Sequence, residues 1–472
     1  MKKFTLLVLF LAIHLGLSAK IRLPELFSDN MVLQQQSKVA FWGSAEPNAR
    51  ISITTSWNKK TYTALSDGKG NFRVSLQTPS AGGPYNIVLK TTESLTLKNV
   101  LIGEVWVCSG QSNMGMMIKG NVNQPVLNSN DILMDAENPN IRLFKVNSAR
   151  SATELNTLEG SSWKEASALS VRDFSAVAYL YAKILNKKLN VPVGVIMTTV
   201  GGTKIEAWMS KESLADFPQK KIVAYEKGAK VTSNSPTVLF NAMVNPLIGY
   251  GIKGVIWYQG EGNRFDHEYY DKLMVALVAD WRKKWNIGDW PFYYAQIAPF
   301  RYNKSESEMV PRLREAQSRA LKVIPNSGMI VSMDAGNEST IHPPDKETIS
   351  KRMAYWALSK TYGKEGISYQ SPTYKAMKIS SDSVYVSFDN CVNGMTSFDR
   401  EIKAFEIAGA DNVFYPANAT LLPKVGVLLT SKDVKQPVNI RYGFKDWIVG
   451  DVYNTEGLPV DPFRTDSLPV KK

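Results

Sequence analysis

The sequence predicts an α/β protein: a parallel sheet covered by helices on both faces, with all-β regions on either side of it along the chain. Three observations predict it. From about residue 100 to residue 362, short apolar runs alternate with helical segments that carry apolar residues at three-to-four spacing, the order of strand–helix–strand units. Before and after that stretch, apolar and polar residues alternate with period two, the mark of half-buried strands. Hydrophobic content of 44% against 21% charged residues describes an ordinary globular chain, and 472 residues allow two to four domains at ~100–200 residues each.

The elements follow in order. Lys2 and Lys3, an apolar run over residues 4–13 and the small-residue end Leu17-Ser18-Ala19 have the layout of a secretory signal peptide over residues 1–19. An exported protein, periplasmic or extracellular, is therefore expected. No later run approaches the ~20 apolar residues of a membrane span, so none is expected in the mature chain. Residues 20–99 read as a small β-sandwich, with Ile51 and Ile53, then Phe72, Val74 and Leu76, sharing faces. Asp67-Gly68, Lys69-Gly70 and Gly82-Gly83-Pro84 punctuate it as turns. Residues 100–362 form the α/β domain, with strands at 101–107, 193–200, 255–258, 292–297 and 329–333 and helices at 174–189, 269–285, 310–323 and 346–362. Residues 363–472 return to strands, at Val384, Val386 and Phe388, at 425–429 and at 438–440, before a Pro-bearing tail from Gly457 that reads as an extended strap. Whether this region stands alone or packs on the N-terminal sandwich is open at this point, as is the oligomeric state.

Composition removes several kinds of chemistry. Only three histidines occur, and His14 leaves with the leader, so a His-rich zinc site is not expected and no cofactor or metal is assigned. Loss of Lys2 and Lys3 lowers the formal charge from +13 to +11, but the basic residues are scattered, with no aromatic-interleaved stripe. Nucleic acid is therefore not an expected partner. Two cysteines, Cys108 and Cys391, leave one disulfide open and exclude a disulfide scaffold.

In a parallel sheet covered on both faces, ligands bind beyond the carboxyl ends of the strands, and four loops there carry reactive groups. Gly110-Gln111-Ser112-Asn113 follows the first strand, where a turning chain exposes a serine hydroxyl and aims its N–H at a developing oxyanion. His342, followed by Pro343, comes after the fifth strand on the same rim and is the candidate base. His267 is the alternative, although Asp266 and Glu268 around it suit a helix start. Gly201-Gly202-Thr203 allows close backbone approach to a substrate, and Gln259-Gly260-Glu261 offers an amide donor and a carboxylate. Trp208, Trp257 and Tyr258 could stack on sugars or fill the core.

This set, with Ile205-Glu206-Ala207-Trp208, the stretch from Leu23 to Gln34 and the closing Gly457-Leu458-Pro459 and Pro462-Phe463-Arg464-Thr465-Asp466, resembles the SGNH hydrolases, in particular their sialate O-acetylesterase branch. The resemblance implies a flavodoxin-like three-layer domain and a metal-free serine esterase. Its partner would be an O-acetylated sugar or glycan, with 9-O-acetylated sialic acid the first expectation. It implies Ser112 as nucleophile and His342 as base, with the N–H groups of Ser112 and Gly201 and the Gln259 side chain as oxyanion donors. SGNH enzymes commonly place an aspartate three residues before the histidine, and Ser339 stands there. Glu261 is the first choice for the missing acid, then Glu338 and Asp334, and a dyad oriented by a backbone carbonyl is the remaining option. Two rival functions stay open: an acetylesterase acting on xylan, xyloglucan or pectin, and a decayed enzyme that only binds glycans.

Overall fold

The structure, a computed structural model, describes residues 20–220, 230–302, 307–424 and 426–466. The expected leader lies outside them. The N-terminal strands are β1 (Val32–Gln34), β2 (Lys38–Ser44), β3 (Arg50–Thr55), β4 (Thr61–Leu65), β5 (Asn71–Gln77) and β6 (Gly82–Lys90). Ile51, Ile53, Phe72 and Leu76 are buried, as their alternation requires. Gly82-Gly83-Pro84 does not form a free turn. It opens β6, where the register with the next strand shifts.

That next strand, β7 (Ser94–Gly110), is 17 residues long and belongs to both halves of the molecule. Its first part pairs antiparallel with β6, whereas Glu104–Gly110 pairs parallel with β10 (Val193–Thr199). The boundary drawn at residue 99 thus falls inside one continuous strand. The remaining central strands are β8 (Asn138–Lys145), β9 (Trp163–Ala166), β11 (Gly254–Tyr258), β12 (Phe292–Ala295) and β13 (Ser327–Ile330), in the order β13-β12-β11-β7-β10-β8-β9. Without the edge pair β8–β9, the order is 2-1-3-4-5 by appearance, the flavodoxin-like arrangement. The sequence reading missed β8 and β9 because Pro139 and Asn140 break any alternation at the start of β8.

The sheet is buried on both faces. Along β7, Val105 and Val107 face one layer, with Leu273 and Leu277 of the His267–Trp285 helix and Leu313 of the Met309–Leu321 helix. Trp106 and Cys108 face the other, with Leu185 of the Ala176–Leu189 helix and Met353 of the Glu347–Trp356 helix. Burying side chains of this size contributes about 1.5–3 kcal/mol each, and the continuous apolar run in β7 has no polar face to give to water. Cys108 is fully buried in this layer, and it and Cys391 are both free thiols.

Among the described residues, the C-terminal region forms two four-stranded antiparallel sheets and one two-stranded one. It is fastened to the α/β domain. Arg314 donates to the carbonyls of Lys445 and Asp446 at 2.8 and 3.0 Å, and Arg464 of the closing strap pairs with Glu315 at 3.1 Å. On the same strap, Asp461 accepts hydrogen bonds from Gln296 at 2.8 Å and Ser318 at 3.0 Å. Burial raises its carboxyl to about 6. A carboxyl raised on folding contributes stability below its unfolded value of 3.8 and loses that stability as pH climbs through the folded value. Asp461→Asn keeps the acceptor and removes the charge. We therefore expect its thermal midpoint to exceed that of the unmodified protein near pH ~8, by up to ~3 kcal/mol in stability, and to match it near pH ~4. No gain at the higher pH would contradict the assignment.

Candidate active site

The carboxyl ends of β7, β10, β11 and β13 lie along one rim. Ser112 opens a one-turn helix, Ser112–Gly115, immediately after β7. The turn before it depends on Gly110, whose φ of +136° and approach to the neighbouring strand exclude a side chain: an added Cβ would lie 2.2 Å from the Tyr258 carbonyl oxygen. Gln111 stitches this turn to the loop after β11. Its N–H donates to the Tyr258 carbonyl at 3.0 Å, and its side-chain oxygen accepts from the N–H groups of Gly260 and Gly262 at 3.4 and 3.3 Å. The backbone at Gly201 closes the other side, since a Cβ there would stand 3.4 Å from that of Ser112. Among the described residues, neither the Ser112 nor the Gly201 N–H has an acceptor.

Beneath Ser112 runs a buried polar chain that sequence reading did not find. The Asn113 amide donates to Glu261 Oε1 at 2.7 Å and to the Ile341 carbonyl at 3.1 Å, while its oxygen accepts from Lys346 Nζ at 2.7 Å. Lys346 is 1% exposed, Glu261 3% and Asn113 0%. Burial drives the two charges in opposite directions: the Lys346 ammonium down to about 7, and the Glu261 carboxyl above its usual range. Removing one member would strand the other charge away from water, a cost of ~3–5 kcal/mol.

His342 is half-buried, and its Nδ1 lies 2.6 Å from Gln124 Oε1. A carbonyl oxygen can only accept, so Nδ1 carries the proton and Nε2 is left as the base-competent nitrogen. Burial, and then the neighbouring Lys346 charge, hold the imidazole below its ordinary value of 6.5. Among the described residues no hydrogen bond joins His342 to Ser112. The Asn113 bond to Ile341 nonetheless ties their two loops together one residue away from each.

Two expectations are corrected. Glu261 does not orient His342, because its carboxylate is held by Asn113 under the nucleophile loop. The other carboxylates are also taken, Glu338 by Arg301 at 2.5 Å and Asp334 by Arg352 at 2.7 Å. The carbonyl at Nδ1 comes from a side chain, that of Gln124, rather than from the backbone. Nor does Gln259 offer an oxyanion donor. It is fully buried, both hydrogens of its amide are spent on the Thr203 carbonyl and Asn263 Oδ1 at 2.9 Å each, and Tyr270 donates to its oxygen at 2.8 Å. Trp208, Trp257 and Tyr258 are core residues, each 1% exposed or less. His267 is the first residue of the His267–Trp285 helix.

Comparison with known proteins agrees with this architecture. The family model described as carbohydrate esterase, sialic acid-specific acetylesterase, matches residues 102–357. A sialate O-acetylesterase of Pongo abelii is 30% identical over 387 residues, covering 74% of this chain and 73% of the relative. One from Mus musculus is 27% identical and covers 97% of both chains. The crystal structure of a carbohydrate acetylesterase from Xanthomonas citri superimposes with a TM-score of 0.85 at 32% identity, over 95% of this chain and 100% of that one. The serine on the switch-point loop and the histidine tied to it thus sit in a chain that belongs to the carbohydrate esterase family of sialic acid-specific acetylesterases.

Proposed function

We propose that this carbohydrate acetylesterase removes O-acetyl groups from sialic acid, with 9-O-acetylated sialic acid as its substrate, through an acetyl-enzyme formed on Ser112. His342 Nε2 takes the proton from Ser112 Oγ as that oxygen attacks the acetyl carbonyl. It then returns a proton to the departing sugar hydroxyl, and water clears the acetyl group by the same steps. The N–H groups of Ser112 and Gly201, both without an acceptor among the described residues, are the oxyanion donors, and losing one such donor typically costs ~3–4 kcal/mol in barrier. The observation that carries this reading is the Asn113 amide, which binds the loop of the nucleophile to the loop of the base. A serine–histidine contact often tightens only when substrate is bound. The leader-like residues 1–19 support action outside the cytoplasm.

Gln124 explains how the site can work without a triad carboxylate. In the serine-protease template, replacing the aspartate by asparagine costs ~10⁴ in rate, chiefly because the imidazole adopts the wrong tautomer. The Gln124 carbonyl selects the useful tautomer, so only the charge stabilisation of the imidazolium is forgone.

A second substrate reading, acetylated plant polysaccharide, accords equally with the similarity to the Xanthomonas citri protein, a carbohydrate acetylesterase. Acetate release from acetylated sialic acid, xylan, xyloglucan and pectin separates the two. Ser112→Ala is expected to fold normally and release no acetate from any of them or from an aryl acetate, and a fluorophosphonate should label only the unmodified protein. Retained activity in the variant refutes Ser112 as the nucleophile, whereas a parent that neither labels nor releases acetate leaves the glycan-binding alternative.

The pH profile provides a further check. Neutral His342 is the active form, and its lowered pKa places the acid limb of kcat/KM below ~6.5. Gln124→Glu sets a carboxylate against Nδ1–H, which favours the imidazolium, so this limb should move up by ~1 unit or more. An unmoved limb would mean that Gln124 does not face the working base.

A further inference from the structure

The loop that carries Glu261 continues into Arg264 and Phe265, which neither the mechanism nor the core uses. Arg264 donates one guanidinium N–H to the Glu261 carbonyl at 3.2 Å. Its guanidinium carbon lies 4.2 Å from the Phe265 ring centre and 5.0 Å from that of Tyr302. Arg301, Arg312, Arg319 and Arg352 each pair with a carboxylate. Arg264 pairs with none among the described residues, although it stands two residues beyond a stitch to the nucleophile turn. Beside it, Phe265 is 63% exposed and offers an apolar ring to solvent next to the guanidinium.

We propose that Arg264 is a specificity-determining residue that binds the carboxylate of an acidic acetylated sugar, with Phe265 as the adjoining face for the sugar's apolar edge. The physical case is one of complementarity. A guanidinium has five donors in a planar fork matched to a carboxylate, and one donor is already spent on fixing its position. Two aromatic rings within cation–π reach help to hold the guanidinium in place. Sialic acid and hexuronic acids both offer such a carboxylate, while acetylated xylose does not. The inference rests on the Ser112–His342 reading, because it names what that same site selects.

The test is the ratio of kcat/KM for an anionic acetyl ester to that for a neutral one, measured with acetylated sialic acid, acetylated galacturonate and acetylated xylose. Arg264→Gln should lower the anionic-to-neutral ratio by about ten- to a hundredfold, the worth of a hydrogen bond to a charged group, and Arg264→Lys should fall between the two. Whichever acidic ester shows the larger fall identifies the source of the carboxylate. In the unmodified protein, raising the ionic strength should depress kcat/KM for the anionic ester more than for the neutral one. This measurement stands even if the variants fold poorly. An anionic-to-neutral ratio within twofold of the parent, or an equal loss on all esters, overturns the proposal and leaves Arg264 as a brace for the Glu261 carbonyl. Failure of the underlying mechanism would look different: no acetate would be released from any ester by the unmodified protein.

Discussion

One side-chain amide, that of Asn113, is the constraint on which the candidate site depends. It donates twice and accepts once, and its partners, Glu261 on one side and Ile341 and Lys346 on the other, lie in two stretches far from it in sequence. The loop after β7 is thereby fixed to the loop after β11 through Glu261. It is fixed to the loop after β13 through Ile341, and to the start of the following helix through Lys346. Because Asn113, Glu261 and Lys346 are shielded from water, the bonds among them are made in a medium where leaving one unmade would be expensive. The result is a rigid floor under Ser112, rather than a serine at the tip of a mobile turn.

The same chain of contacts accounts for the unusual charge arrangement. The lysine beside the His342 imidazole opposes its protonation, which keeps the ring neutral but would penalise an imidazolium. Glu261, one amide away, bears the opposite charge to Lys346, and Gln124 supplies a dipole at Nδ1. The electrostatics at His342 are therefore spread over four residues rather than concentrated in one carboxylate.

Much of this was legible in the chain, and what was not has a physical reason. Five of the parallel strands announced themselves as apolar runs because both faces of the sheet are covered, and the reactive loops followed because each begins where such a run stops. The positions of Ser112, Gly201 and His342 on one rim are a consequence of that order. Side-chain pairing across 218 residues, as between Gln124 and His342, or 233, as between Asn113 and Lys346, leaves no local pattern. Gln259 and Glu261 were sought in the right loop and assigned the wrong partners, because a residue type reveals what a group can donate or accept but not which neighbour claims it. The β8–β9 pair and the shared length of β7 were hidden for a related reason: edge pairing and strand continuity depend on tertiary neighbours.

That continuity has a bearing on how the molecule can be taken apart. The residues that hydrogen-bond with β6 and those that lead into Ser112 are successive stretches of the same extended segment. Excising the first hundred residues would therefore not liberate a smaller autonomous hydrolase. It would cut the central strand of the sheet part-way along and bare the apolar surface that β1 and β6 now cover. Shuffling of this N-terminal piece between proteins as an independent cassette is correspondingly disfavoured, and the two regions should be inherited as a unit.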